Sequence, residues 1–94
     1  MKISEVEVQT IKDYLNVFHE EDDSLIENII SASKAFVSSY TGLSAELMDL
    51  KEDLTMAIFV LSSELYDNRA FTVDKTNVNP VISAILDMHS VNLL

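Results

Sequence analysis

Apolar residues recur every three or four positions over most of this chain, which is the spacing of α-helices with one buried face. The first predicted helix carries Val8, Ile11, Leu15 and Phe18 on that face. It begins either at a capping box formed by Ser4 with Glu7 or nearer Glu7 itself. Residues 17–22 then predict a loop.

The second predicted helix covers about residues 23–41. Asp22, Asp23 and Ser24 are candidate N-caps, and Ser24 with Glu27 forms a possible capping box. Gly42 suits the left-handed conformation that closes a helix. The apolar period of this helix is carried by Ile26, Ile29, Ile30, Ser33, Phe36, Val37 and Tyr40.

The third long helix is predicted from near Asp49 to about Arg69, and Ser44–Met48 forms either a short helical turn or a loop before it. The run Met56–Leu61 is apolar on all sides of the helix. A helix of this kind is typically contacted from several directions, so we predict that it is the central helix.

The remaining residues divide into a loop, a short helix and a tail. Residues 70–79 mix β-branched and polar side chains, which predicts an extended loop or one arm of a hairpin. Asn79 as cap and Pro80 as first residue start a fourth helix that ends near Met88 or His89. We expect residues 90–94 to be a mobile tail.

These elements predict an all-α fold, a small bundle of three to four main helices, in one domain covering residues 1–94. A single glycine and a single proline argue against a β-fold, whose hairpins need such residues. The predicted core consists of Ile11, Leu15, Ile26, Ile29, Ile30, Phe36, Leu54, Ile58, Leu61, Leu65, Ile82 and Ile85.

Composition limits the compartment and the partners. The chain contains no cysteine, which excludes disulfides and thiolate chemistry. Its longest apolar run has six residues, far below the ~20 that span a bilayer. The N-terminal residues do not show a signal-peptide pattern. We therefore expect a soluble protein of a reducing cytoplasm, with no membrane partner.

The formal net charge is −10, and it is unevenly distributed. Residues 1–23 carry seven acids and two bases, and residues 44–69 carry six acids and two bases. Such a chain repels phosphate backbones and presents no basic patch. We expect no sequence-specific binding to nucleic acid.

Candidate catalytic and metal-binding chemistry is sparse. His19 lies beside four acids at 20–23, but these lack the alternating spacing and the glycine of a calcium loop, and N-cap carboxylates explain them better. Glu52 and Asp53 are adjacent and point to different sides of a helix. We find no phosphate-binding loop and no nucleophile motif, so we expect no enzyme activity, metal or cofactor.

Arg69 closes the third helix and is a candidate interface residue. It either satisfies the carbonyls at the helix end, or forms an ion pair with Asp67 or Asp23 or with a neighbouring copy. The sequence leaves both interpretations open.

Ordered along the chain, several segments resemble the head–tail connector family of long-tailed bacteriophages, whose members are also described as head-completion or DNA-packaging proteins. No single segment is specific, but their order and spacing are. The matching segments are Ile11–Leu15, Asp23–Ile26, Tyr40–Gly42, Asp53–Leu54, Tyr66–Arg69 and Asn79–Leu86.

The resemblance implies a structural protein without a cofactor. Its copies, about a dozen, would form a ring between the portal protein and a tail-side head-completion protein, through which DNA passes. The protein would assemble in the host cytoplasm and reside at the head–tail junction of the virion. Acids of the first or third helix would line the channel and keep DNA from adhering.

In this scheme two groups of residues contact other chains. The 70–79 segment would reach the adjacent subunit, although Phe71 could instead fold back onto the core. The tail residues Val91, Leu93 and Leu94 would dock on the portal or a tail-side partner. The candidate subunit-interface residues are Asp23, Asp67, Arg69, Phe71 and Val73.

The main alternative is a small acidic regulatory module, such as a DNA mimic that binds a basic host protein as a monomer or dimer. Composition fits this class equally well, and only the ordered set of segments separates the two. A mimic would bind with steep salt dependence, whereas a connector would form a closed ring.

Overall fold

The computed structural model describes residues 1–69 and 79–90, in which the chain forms five α-helices and no strand. After a 3-10 turn at Ile3–Glu5, the helices are α1 Val8–Leu15, α2 Asp23–Thr41, α3 Ala45–Met48, α4 Glu52–Asn68 and α5 Pro80–His89. The predicted all-α bundle is confirmed, and α2 has the predicted bounds. Residues 70–78 and 91–94, which hold most of the predicted loop and tail, lie outside the described residues.

Several helix ends follow the predicted local chemistry. Gly42 adopts the left-handed conformation, with φ 75°, and closes α2. The Ser44 side chain caps α3, which resolves the helix-or-loop alternative in favour of a short helix. The Asn79 carboxamide oxygen accepts a hydrogen bond from the Val81 N–H at 2.8 Å, and Pro80 is the first residue of α5.

The bounds of α1 agree with the prediction, since one of its two predicted starts and the loop at residues 17–22 are confirmed. The capping box joins Glu7 to Thr10, so the helix begins near Glu7 and not at Ser4. Asn16 then takes the left-handed conformation, with φ 59°, and ends the helix. Phe18 therefore lies outside α1 and is 88% exposed. The prediction that it shares the buried face is wrong, because the apolar spacing continues past the residue that ends the helix.

The pair α2 and α4 forms the centre of the bundle, and α1 and α5 each contact both of them. Helix α4 begins at Glu52, slightly later than expected. Of the twelve predicted core residues, Leu15, Phe36 and Ile85 are half-buried at the edge of the core. The other nine are buried, namely Ile11, Ile26, Ile29, Ile30, Leu54, Ile58, Leu61, Leu65 and Ile82. None of the described helices is long and apolar enough to cross a membrane.

Candidate assembly site

The start of α2 and the end of α4 meet at one end of the bundle through three side chains. Asp22 Oδ2 accepts hydrogen bonds from the Tyr66 hydroxyl at 2.6 Å and from Arg69 Nη1 at 2.9 Å. The Arg69 guanidinium also lies over the Tyr66 ring, 4.6 Å from its centroid. We call these three residues the Asp22 cluster. It ties together two helix ends that are 44 residues or more apart in the chain.

Local backbone geometry explains the position of the cluster. Asp22 is the N-cap residue of α2, but its carboxylate makes no capping bond and turns to α4 instead. Arg69 ends α4 in the left-handed conformation, with φ 52°. Because α2 and α4 are antiparallel, the last turn of α4 lies beside the first turn of α2, and the arginine side chain reaches the carboxylate across this contact.

The expected intrachain partners of Arg69 were therefore wrong. Asp67 lies only two positions earlier, about 160° away around α4, and is exposed. Asp23 is occupied by a different base, since its Oδ1 lies 2.9 Å from Lys12 Nζ. The structure thus brings Asp23 and Arg69 to the same end of the bundle but gives each a different partner.

The Lys12–Asp23 pair attaches α1 to the start of α2. The Lys12 side chain is 8% exposed and that of Asp23 is 42% exposed. The contacting atoms are buried, since the Lys12 side chain is almost fully covered and Asp23 Oδ1 is inaccessible to solvent. The pair therefore fixes the register of the two helices, because removing either partner would leave the other charge buried and unpaired. This ion pair was not predicted from the sequence. The only signal is that Lys12 adjoins the apolar face of α1 next to Ile11, and a solvated lysine explains that position equally well.

The remaining predicted interface residues are not among those that the structure describes. Phe71 and Val73, together with Val91, Leu93 and Leu94, fall outside the described residues. The acids beside His19 do not converge on one point, because Asp22 and Asp23 face different partners. Across residues 1–69 and 79–90 there is no pocket and no group of three metal-ligating side chains.

Hydrogen bonding shifts the proton equilibria of the Asp22 cluster. The bond from Tyr66, and next that from Arg69, lower the pKa of Asp22 below its usual 3.8. The bond to Asp22 raises the pKa of Tyr66 above its usual 10.0, since it holds the phenolic proton. Away from the cluster, hydrogen bonds from the backbone and side chain of Ser4 lower the pKa of Asp49.

We expect acid to weaken the bundle through Asp22. Its pKa is lower in the folded than in the unfolded chain, so its stabilising contribution is complete above the unfolded value and is lost as pH falls through the folded value. The substitution Asp22→Asn should flatten the fall in melting temperature below about pH 4. The measurement is thermal unfolding by circular dichroism between about pH 2 and pH 6.

The matched control is Asp67→Asn, which removes an exposed carboxylate from the same end of the bundle. We expect its acid profile to parallel that of the unmodified chain. Asp49 remains in both variants and should leave a residual slope. An unchanged acid slope in Asp22→Asn would show that the cluster does not form in solution.

A family model described as phage gp6-like head-tail connector protein matches residues 5–89 of the chain. The match includes all five described helices and the whole Asp22 cluster. Comparison with curated proteins and with solved structures found no match. The family is a structural one, whose members assemble with other virion proteins at the junction of head and tail. By this match over nearly its whole length, the chain belongs to the gp6-like head–tail connector family of phages.

Proposed function

We propose that this connector is one subunit of a closed ring of about a dozen copies, placed between the portal vertex and the tail-side head-completion protein. The family match over residues 5–89 carries the proposal. A chain of 94 residues is too small to enclose a DNA duplex by itself. A channel would have to be built between copies.

The partners in this proposal are neighbouring copies, the portal protein and a tail-side protein. The sequence-predicted contacts of Phe71 and Val73 with the adjacent subunit belong to it. So does the docking of Val91, Leu93 and Leu94 on the portal or the tail-side protein. The ring assembles in the host cytoplasm and remains in the finished virion.

Genomic DNA passes through the channel of this ring without binding to it. With a net charge of −10 per copy, a ring presents a strongly negative field that repels phosphates. We place acids of α1 or α4 toward the lumen, and Asp13 on α1 is exposed. A ring structure with a neutral lumen would contradict this part of the proposal.

Native mass spectrometry over a concentration series, with negative-stain imaging of large species, tests the ring. We expect closed rings of about a dozen copies, formed either by the protein alone or on added portal complexes. A protein that stays monomeric in both conditions would contradict the proposal. In that case, steeply salt-dependent binding to a basic protein would identify an acidic regulatory module instead.

A further inference from the structure

Helix α4 lies between α1 and α5, and within residues 1–69 and 79–90 its outer side is uncovered. On one flank, the Tyr14 ring of α1 stacks on Phe59, with 5.1 Å between ring centroids. On the other flank, His89 Nε2 of α5 lies 2.6 Å from Asp53 Oδ2. Met56 is three positions from each of these α4 residues, so it lies about 60° from both, midway between the flanking helices.

The middle of the uncovered side of α4 is apolar. Met56 is 52% exposed, and Val60, one turn later, is half-buried. The core side lies opposite, because Ile58, two positions after Met56, is rotated by about 160° and is fully buried. A helix that is apolar all round is normally covered all round. In the described chain, one side of α4 lacks that cover.

Helix α5 continues this apolar surface. Val81 and Met88 are 60% and 75% exposed, and with the half-buried Ile85 they fall within about 60° of one another around the helix. Ile85 is one turn before His89, on the side of α5 that faces α4. Tyr40 of α2 binds the other flank of α5, where its hydroxyl donates to Asp87 Oδ1 at 2.7 Å.

We call the resulting surface the three-helix face. It spans α1, α4 and α5 and consists of Tyr14, Met56, Val60, Val81, Ile85 and Met88.

Charge is confined to the border of this face although the chain is strongly acidic. The face contains no acidic or basic residue, and the bordering acids Asp53 and Glu64 are engaged by His89 and by Asn79, each at 2.6 Å. The exposed acids Glu52 and Asp67 lie on the same side of α4, about 40° and 20° around the helix from Met56, and mark the two ends of the face. The opposite side of the bundle is different. There α2 exposes Ser24, Glu27, Asn28, Ser31, Ala35 and Ser39, with no large apolar side chain. Apolar cores rich in methionine and poor in charge are typical of protein interfaces.

We propose that a second copy of this chain covers the three-helix face. Two copies that each carry a charge of −10 repel wherever acids meet, so they associate best through a surface that lacks charge. A basic partner would instead be attracted to acid-rich parts such as Glu20 and Glu21, which are exposed. The uncharged face therefore fits a like-charged neighbour.

This inference rests on the proposed ring, in which each contact joins two different surfaces. The three-helix face is one of them. Other large exposed apolar side chains are available for the second surface, since Phe18, Leu47 and Leu50 are 88%, 48% and 73% exposed and lie outside the face.

Charge insertion tests the face. Met88→Glu should raise the protein concentration needed for half-assembly by at least roughly tenfold, because it places an unpaired carboxylate in the contact. Ala35→Glu adds the same charge to an exposed position of α2 and should assemble like the unmodified chain. Native mass spectrometry of all three proteins supplies the comparison, and far-UV circular dichroism verifies that each is folded.

Labelling gives a second test that does not depend on disrupting the ring. The chain has no cysteine, so Val81→Cys and Ala35→Cys each introduce a single reactive thiol. We expect Val81→Cys to react with a maleimide as a monomer and to be protected in isolated rings. Ala35→Cys should react in both states.

The outcomes separate this inference from the proposed function. If the unmodified chain forms rings and Met88→Glu forms them equally well, the three-helix face is overturned and the ring stands. If Val81→Cys stays reactive in isolated rings and is protected only when portal complexes are added to those rings, the portal covers the face and the second copy is excluded. If the unmodified chain forms no ring alone or on the portal, both proposals fail.

Discussion

Replacing Ile58 by alanine is expected to lower the free energy of unfolding by about 2–5 kcal/mol. Ile58 is fully buried on α4, the helix that contacts α1, α2 and α5. The loss combines the apolar transfer energy with the cavity that the helices leave unfilled. A domain of this size has a total stability of roughly 5–14 kcal/mol, so this single change removes a large part of it. Urea unfolding followed by circular dichroism measures the effect.

The control for Ile58→Ala is Met56→Ala on the same helix. Both substitutions introduce the best helix former, so helix propensity does not separate them. Met56 is 52% exposed, and its loss should cost less than about 1 kcal/mol when the protein is measured as a monomer. Equal losses at the two positions would mean that α4 is not buried on the side that faces α2.

Replacing Ser33 by leucine is expected to destabilise the bundle by about 2–4 kcal/mol. Ser33 on α2 and Ser62 on α4 are both fully buried, and their hydroxyl oxygens lie 3.3 Å apart. These small residues allow the two central helices to approach closely. A leucine forces them apart and also leaves the Ser62 hydroxyl without its partner. The same urea titration measures the change.

The double variant Ser33→Ala with Ser62→Ala is the matched control for this site. Removing both hydroxyls together leaves no buried polar group unpaired, so the cost should stay below about 1 kcal/mol. A leucine accepted at similar cost would indicate that α2 and α4 are not in close contact at this position.

These core variants also help to interpret the assembly experiments. Ile58→Ala and Ser33→Leu should reduce assembly only in proportion to the unfolded fraction that they create. Met88→Glu lies on an exposed surface of α5, so it should reduce assembly while the subunit remains folded. A loss of assembly without a loss of folding is therefore the signature of a contact surface.

Local chemistry was sufficient to predict most of the helices. Gly42 and Asn79 act within a few residues of their own positions, so the end of α2 and the start of α5 could be predicted from the sequence. The exception was Phe18. The loop at residues 17–22 was predicted correctly, but the apolar spacing of α1 runs on to Phe18, which lies past the left-handed Asn16 that ends the helix.

The partner of Arg69 could not be predicted because several carboxylates in the sequence are chemically equivalent. Asp22, Asp23 and Asp67 are all aspartates near a helix end. The choice among them depends on the antiparallel contact of α2 with α4 and on Lys12, which already holds Asp23. Both determinants are contacts between residues far apart in the chain, and a local sequence pattern does not predict such contacts.

The pattern of apolar residues was enough to establish an all-α bundle with α4 at its centre, because helix formation and its period are local properties of the chain. The uncovered side of α4 could not be predicted in the same way. An apolar run shows that Met56 and Val60 favour burial, but it does not show whether the same chain supplies the cover. That depends on α1 and α5 lying on opposite flanks of α4, with its outer side left open between them. The packing of helices distant in sequence places that open side, because the sides of a helical stretch that is apolar all round are alike until neighbouring helices cover some of them.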